Sequence, residues 1–98
     1  MKKFREIKNI LRKEKKKLRA EFKIKELGIF GSYVRGEKRK KTSDIDILVD
    51  FDEVPGLFKF IELEDYLSKV LGVKADLVMK DVLKPDIGKH ILAEVIYL

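Results

Sequence analysis

The sequence has 98 residues, of which 45% are hydrophobic and 41% charged, with no cysteine and a formal net charge of +6. This length suits one domain with a modest core, so we expect a single domain over residues 1–98. No apolar run approaches a membrane span, the N-terminus does not resemble a signal peptide, and disulfides and thiolate metal sites are excluded, which together predict a cytoplasmic protein. The positive charge favours a polyanionic ligand without choosing between a nucleic acid and a nucleotide.

Apolar residues recur at helical spacing near the N-terminus and predict a helix over residues 2–20. The other faces of this helix carry Lys, Arg and Glu. We interpret the basic run from Lys13 to Arg19 as a solvated helix face, with a contact surface for RNA or an acidic partner as the alternative. No aromatic residue interleaves with the run, which argues against a stacking platform for single strands.

A strand is predicted over Lys23–Phe30, and it leads into a Gly31-Ser32 turn and a short helix over residues 32–35. Backbone N–H groups at such a turn can bind a phosphate, although an ordinary strand-to-helix turn with a serine cap gives the same pattern. Arg35 has two interpretations, which the sequence leaves open. It contacts phosphate, or it holds the loop through a salt bridge.

Two acidic residues lie at the beginning of the next strand, which is predicted over Ile45–Phe51. Asp44 and Asp46 are two positions apart, so their side chains point to the same face of the strand. Two adjacent carboxylates repel each other, and a divalent cation between them removes that cost. A polar outer face of an amphipathic strand is the alternative. The opposite face carries the apolar residues Ile45, Ile47, Val49 and Phe51.

A second long helix is predicted over Leu57–Leu71, ended by Gly72, and a third strand over Val73–Met79. Strand, helix and strand in this order predict a right-handed crossover with strands two and three parallel. That pairing places Asp76 beside the first two acids. Asp76 also points away from the apolar residues of its own strand.

The C-terminal segment contains Pro85 and then apolar residues at helical spacing, which predicts a helix that packs over the sheet and a short final strand over Val95–Leu98. The expected fold class is therefore α/β. It is a small mixed β-sheet with helices packed on one face and the acidic residues on the other face or at its edge.

Two segments carry a family resemblance, GSYVRG at residues 31–36 and SDIDILV at residues 43–49. Together they resemble the signature of the polymerase-β-like nucleotidyltransferases, most closely the minimal nucleotidyltransferases (MNT) that pair with HEPN proteins. The resemblance covers residues 24–80 and implies the polymerase-β-like fold. Eleven residues separate Ser32 from Asp44, one more than is usual in the family, and the extra residue lies in the polar turn at residues 37–42.

The resemblance also implies a site and an activity. The catalytic and metal-binding carboxylates would be Asp44, Asp46 and Asp76. The nucleotide-binding residues would be Gly31, Ser32 and Arg35. Two Mg²⁺ ions and the substrate ATP would occupy the site, and AMP would move to a hydroxyl acceptor, a tyrosine of a HEPN toxin. The chain would then act as an MNT-type antitoxin.

Two functions of other classes compete with this interpretation. A non-catalytic HEPN-binding antitoxin module would neutralise its partner by contact alone, but it would not need the three carboxylates. A small basic RNA-binding protein would explain the charge, but it would leave the paired motifs as coincidence. We therefore do not expect a nucleic acid or a membrane as partner. The sequence leaves homo-oligomerisation, the nucleobase and the acceptor open.

Overall fold

The computed structural model describes residues 3–35, 44–83 and 85–98, so the polar turn predicted at residues 37–42 lies outside the described residues. The long predicted helices and all four predicted strands are confirmed. The elements are α1 (Phe4–Phe22), β1 (Ile24–Phe30), α2 (Ser32–Arg35), β2 (Ile45–Phe51), α3 (Leu57–Leu71), β3 (Ala75–Met79), a 3₁₀ turn (Lys80–Val82), α4 (Pro85–Glu94) and β4 (Ile96–Tyr97).

The sheet has four strands in the order β3-β2-β1-β4. β1 is antiparallel to both β2 and β4, whereas β2 and β3 are parallel. The parallel pair follows from the crossover through α3, as the sequence predicted, and the mixed sheet confirms the expected fold class.

The hydrophobic core lies between one face of the sheet and the helices α1 and α3. Alternate residues of β2 point into it, as expected for a strand with one buried face. Both long helices contribute apolar residues at helical spacing. The fully buried side chains of these helices are Ile7, Leu11, Leu18, Leu63, Leu67 and Leu71. Helical spacing alone would put Ile61 beside the buried residues of α3, but its side chain is 43% exposed and lies outside the core.

The period-two alternation of side chains in β1 is interrupted by an irregularity in its pairing with β2 between Ile24 and Glu26. A β-bulge adds one residue to a strand and so changes which side chains face the core. As a result Ile24 and Leu27, three positions apart, are both buried in the core. Strict alternation would put these two side chains on opposite faces of the sheet.

The second face of the sheet is covered in part by the C-terminal segment. Gly28 of β1 pairs with Leu48 of β2 on this face, and Leu48 is only 1% exposed. A Cβ at Gly28 would lie 2.6 Å from Cγ2 of Val95, so only glycine leaves room for the segment that leads into β4.

Pro85 begins α4 rather than only breaking the chain, because its missing N–H is not needed there. Within the described ranges, no helix is both long enough and apolar enough to cross a membrane.

The Tyr33 hydroxyl is buried, and it has no hydrogen-bond partner in the described part of the chain. Burial raises the pKa of this phenol above its usual value. A buried hydroxyl without a partner costs free energy that phenylalanine does not pay. We therefore expect Tyr33→Phe to stabilise the protein by about 1 kcal/mol, which a thermal melt would show as a rise in Tm of about 4–8 °C.

The matched control is Tyr66→Phe. The Tyr66 hydroxyl donates to Oε2 of Glu14 at 2.5 Å, so its removal should lower Tm. A fall in Tm for Tyr33→Phe would instead mean that the Tyr33 hydroxyl is bound in solution.

Candidate active site

The parallel pairing of β2 and β3 places two acidic residues side by side. Asp46 is the register partner of Asp76, so both side chains emerge on the same face of neighbouring strands. Neighbouring strands lie about 4.8 Å apart, which is close enough for two carboxylates to share one cation. Asp46 is half-buried and Asp76 is exposed, so the pair is open to solvent on one side. The predicted juxtaposition is confirmed.

Hydrogen bonds fix Asp76 in this register. The N–H of Ile45 donates to the carbonyl of Lys74 at 2.9 Å, where the two strands begin. On the outer edge of β3, the N–H of Ala75 donates to Oγ of Ser68, and that of Leu77 donates to Glu64. Because α3 side chains satisfy the edge on both sides of Asp76, this edge strand is held in place.

The glycine turn lies directly against the first strand of the acidic pair. Gly31 has φ +82°, a left-handed conformation that favours glycine. A Cβ at this position would overlap with Oδ2 of Asp46 and lie 3.0 Å from its Cγ. The carbonyl of Gly31 accepts the N–H of Val34 at 3.1 Å, which begins α2. The structure therefore brings together the predicted phosphate-binding turn and the predicted metal-binding carboxylates.

The structure adds one residue that the sequence did not single out. The N–H of Gly31 donates to Oε1 of Glu94 at 2.9 Å, across 63 positions of the chain. Glu94 ends α4 and belongs to no motif, so only the tertiary structure could reveal the contact.

The acidic pair suits Mg²⁺, because carboxylate oxygens are the ligands that this hard cation prefers. Asp44, half-buried, immediately precedes β2 and supplies a further carboxylate nearby in sequence. Within the described ranges, no group of three or more His, Cys, Asp and Glu residues is arranged to hold a metal. That finding is compatible with Mg²⁺, which is commonly held by one or two carboxylates together with substrate phosphates and water.

Ser32 and Arg35 are the two ends of α2, which packs against β1 and β2. The backbone of this short helix therefore lies next to the two strands that pair at Phe30 and Asp46. Their roles toward a nucleotide stay predictions.

A family model described as a nucleotidyltransferase domain matches residues 7–98. The chain belongs to the nucleotidyltransferase family. It is 58% identical over 93 residues to the protein adenylyltransferase MntA of Thermococcus cleftensis, covering 95% of this chain and 93% of that protein. The sequence-based assignment to the minimal branch of the nucleotidyltransferases is thereby confirmed, and the chain is an enzyme of this class.

Solved structures share the fold of this nucleotidyltransferase. A candidate minimal nucleotidyltransferase is similar with a TM-score of 0.74 at 32% identity, covering 94% of this chain and 95% of the other. A toxin–antitoxin complex with AMP-PNP is similar with a TM-score of 0.73 at 26% identity, and the match covers 91% of this chain and 69% of the other. A third structure is a tri-AMPylated HEPN toxin of Shewanella oneidensis in complex with an MNT antitoxin. Its TM-score is 0.68 at 23% identity, and the match covers 93% of this chain and 70% of the other, which is a likeness of fold alone.

Proposed function

We propose that this nucleotidyltransferase is a Mg²⁺-dependent protein adenylyltransferase that moves AMP from ATP to a tyrosine hydroxyl of a HEPN toxin, as an MNT-type antitoxin. The observation that carries the proposal is the pairing of Asp46 with Asp76 against the Gly31 turn. The name of the Thermococcus relative supports the reaction. The family resemblance implies a HEPN protein as the acceptor, and the likeness to the toxin–antitoxin complex with AMP-PNP supports a toxin as the partner.

In this reaction the acceptor oxygen forms a bond to the α-phosphorus of ATP, and the bond between that phosphorus and the pyrophosphate oxygen breaks. Asp44 and Asp46 would hold Mg²⁺ with Asp76 as a shared ligand. When bound, Mg²⁺ supplies neutralisation of phosphate charge and a lower pKa for the acceptor hydroxyl. The exposed Asp76 is suited to take the proton of that hydroxyl, because an incoming protein side chain can reach it.

The remaining contribution of the chain is to hold the triphosphate in line with the acceptor. Ser32 would donate to the terminal phosphates at the beginning of α2, with Arg35 as a further cationic contact in the predicted site. No covalent intermediate with the enzyme is needed, so catalysis rests on positioning and on electrostatic stabilisation. A module that acts only by contact, or a general RNA-binding protein, would not need Asp46 and Asp76 to be paired.

The test is transfer of label from α-³²P-ATP to a HEPN partner that is co-expressed and purified with this chain. We expect labelled partner, loss of the label when EDTA removes Mg²⁺, and loss again when the acceptor tyrosine, located by mass spectrometry, is replaced by phenylalanine. An unlabelled partner in the presence of Mg²⁺ would contradict the proposal.

Ser32→Ala should weaken the binding of ATP more than that of AMP, because the predicted contacts of Ser32 are to the terminal phosphates. A hydrogen bond to a charged group contributes about 1.5–3 kcal/mol, so the loss for ATP should be about tenfold or more. Calorimetry with both nucleotides in Mg²⁺ measures the ratio of the two affinities. Ser32→Thr, which keeps a hydroxyl at the beginning of α2, is the control and should leave this ratio unchanged. Equal losses for ATP and AMP would show that Ser32 is only a helix cap.

A further inference from the structure

The contact between the glycine turn and Glu94 follows from the way β1 and β4 are paired. The two strands are antiparallel, with Ile29 opposite Ile96. Continuing this register by two residues on each strand puts Glu94 opposite Gly31. β1 has ended at Phe30 by that point, and the carboxylate of Glu94 accepts the Gly31 N–H at 2.9 Å where the next strand carbonyl would otherwise accept it.

This hydrogen bond has two physical consequences. A hydrogen bond from a backbone N–H to a carboxylate is roughly twice as strong as one between neutral groups. The bond to Glu94 therefore stabilises the left-handed backbone conformation of Gly31. The same bond occupies the Gly31 N–H, which the sequence had assigned to the phosphates. While Glu94 accepts this N–H, a triphosphate must be held by other donors, of which the predicted ones are Ser32 and Arg35.

We propose that Glu94 is a positioning residue for nucleotide transfer. It fixes the Gly31 turn, so that the beginning of α2 faces the triphosphate and the turn stays packed on Asp46. This inference rests on the proposed function. It also links the C-terminal segment, α4 and β4, to the nucleotide site, although no recognised motif lies in that segment.

The opposite effect would follow if Glu94 were a competitor of the phosphates. Its negative charge would then occupy the anion-binding position, and ATP would have to displace it. Removal of the carboxylate would tighten ATP binding in that case, whereas loss of a positioning residue weakens it. The sign of the change therefore separates the two roles.

Two substitutions and one control test the proposal. Glu94→Gln keeps an oxygen that can accept the Gly31 N–H but removes the charge, and Glu94→Ala removes both. The control is Glu14→Ala. Glu14 is also a half-buried helical glutamate with a hydrogen bond to a distant residue, Tyr66, but it lies among the helices on the core face of the sheet.

The first measurement needs no nucleotide. Amide hydrogen exchange at Gly31, followed by NMR, should be about tenfold faster or more in Glu94→Ala than in the wild type, because the N–H loses a charged acceptor. The rate should lie between these two values in Glu94→Gln, which keeps only a neutral acceptor, and close to the wild-type rate in Glu14→Ala. Exchange at Gly31 that does not change in Glu94→Ala would overturn the proposal.

The second measurement is the affinity for ATP and for AMP in Mg²⁺ by calorimetry. We expect Glu94→Ala to lose about tenfold in ATP affinity with little change for AMP, and Glu94→Gln to lose less than Glu94→Ala. The proposal would be overturned if Glu94→Ala left the ATP affinity unchanged, lowered the affinities for ATP and AMP equally, or bound ATP more tightly. If the wild type itself binds no ATP, the proposed function fails, and the exchange rate at Gly31 still decides whether Glu94 holds the turn.

Discussion

Asp46→Asn should abolish nucleotide-dependent binding of Mg²⁺ and reduce AMP transfer by about 10²–10³-fold or more. Asp46 is the register partner of Asp76 and lies against the Gly31 turn, so it is the carboxylate common to both parts of the site. Asparagine has nearly the same shape but no charge, and the neutral amide oxygen is a much weaker ligand for Mg²⁺. Calorimetric titration of Mg²⁺ in the presence and absence of a non-hydrolysable ATP analogue measures the effect.

The control for Asp46→Asn is Asp50→Asn. Asp50 is on the same face of the same strand and is also half-buried, but it lies opposite Glu26, toward the other end of β2. This control should bind Mg²⁺ and nucleotide like the wild type. Unchanged metal affinity in Asp46→Asn would remove the central part of the proposed function.

Asp76→Asn should keep the fold and much of the ATP affinity while losing nearly all AMP transfer. The exposed Asp76 is the group proposed to take the proton of the acceptor hydroxyl, and loss of a general base typically costs about 10²–10⁴-fold in rate. In the proposed site, triphosphate binding rests on Ser32 and on the metal that the other two acids would hold. The loss should therefore appear in kcat rather than as a raised KM, the pattern of an interaction made only in the transition state.

The measurement for Asp76→Asn is incorporation of labelled AMP into the co-purified partner, with a thermal melt of each variant. Asp81→Asn is the control, because Asp81 is an exposed acid in the 3₁₀ turn just after β3 and outside the pairing with β2. A variant at Asp76 that melts normally and transfers AMP at the wild-type rate would make Asp76 an ordinary strand residue. The site would then lack a candidate base.

The sequence by itself determined the order and type of the elements and the two halves of the candidate site. Period-two alternation in β2 and β3 determined the face on which Asp46 and Asp76 lie, because side-chain direction in a strand follows from position alone. The crossover through α3 then predicted the parallel pairing that places these two residues side by side. Both inferences need only the local sequence pattern and the general right-handedness of strand-helix-strand crossovers, so they can be drawn without knowing any contact between distant segments.

Only the tertiary structure decided what depends on contacts between distant segments. The bulge near Lys25 changes which residues of β1 face the core, and it depends on how β1 pairs with β2 rather than on its own residues. The exposure of Ile61 depends on how α1 and α3 pack. The bond from Gly31 to Glu94 depends on the pairing of β4 with β1, which brings a carboxylate 63 positions away to the glycine turn. Local patterns do not encode such pairings, because they arise only when the whole sheet and its core assemble.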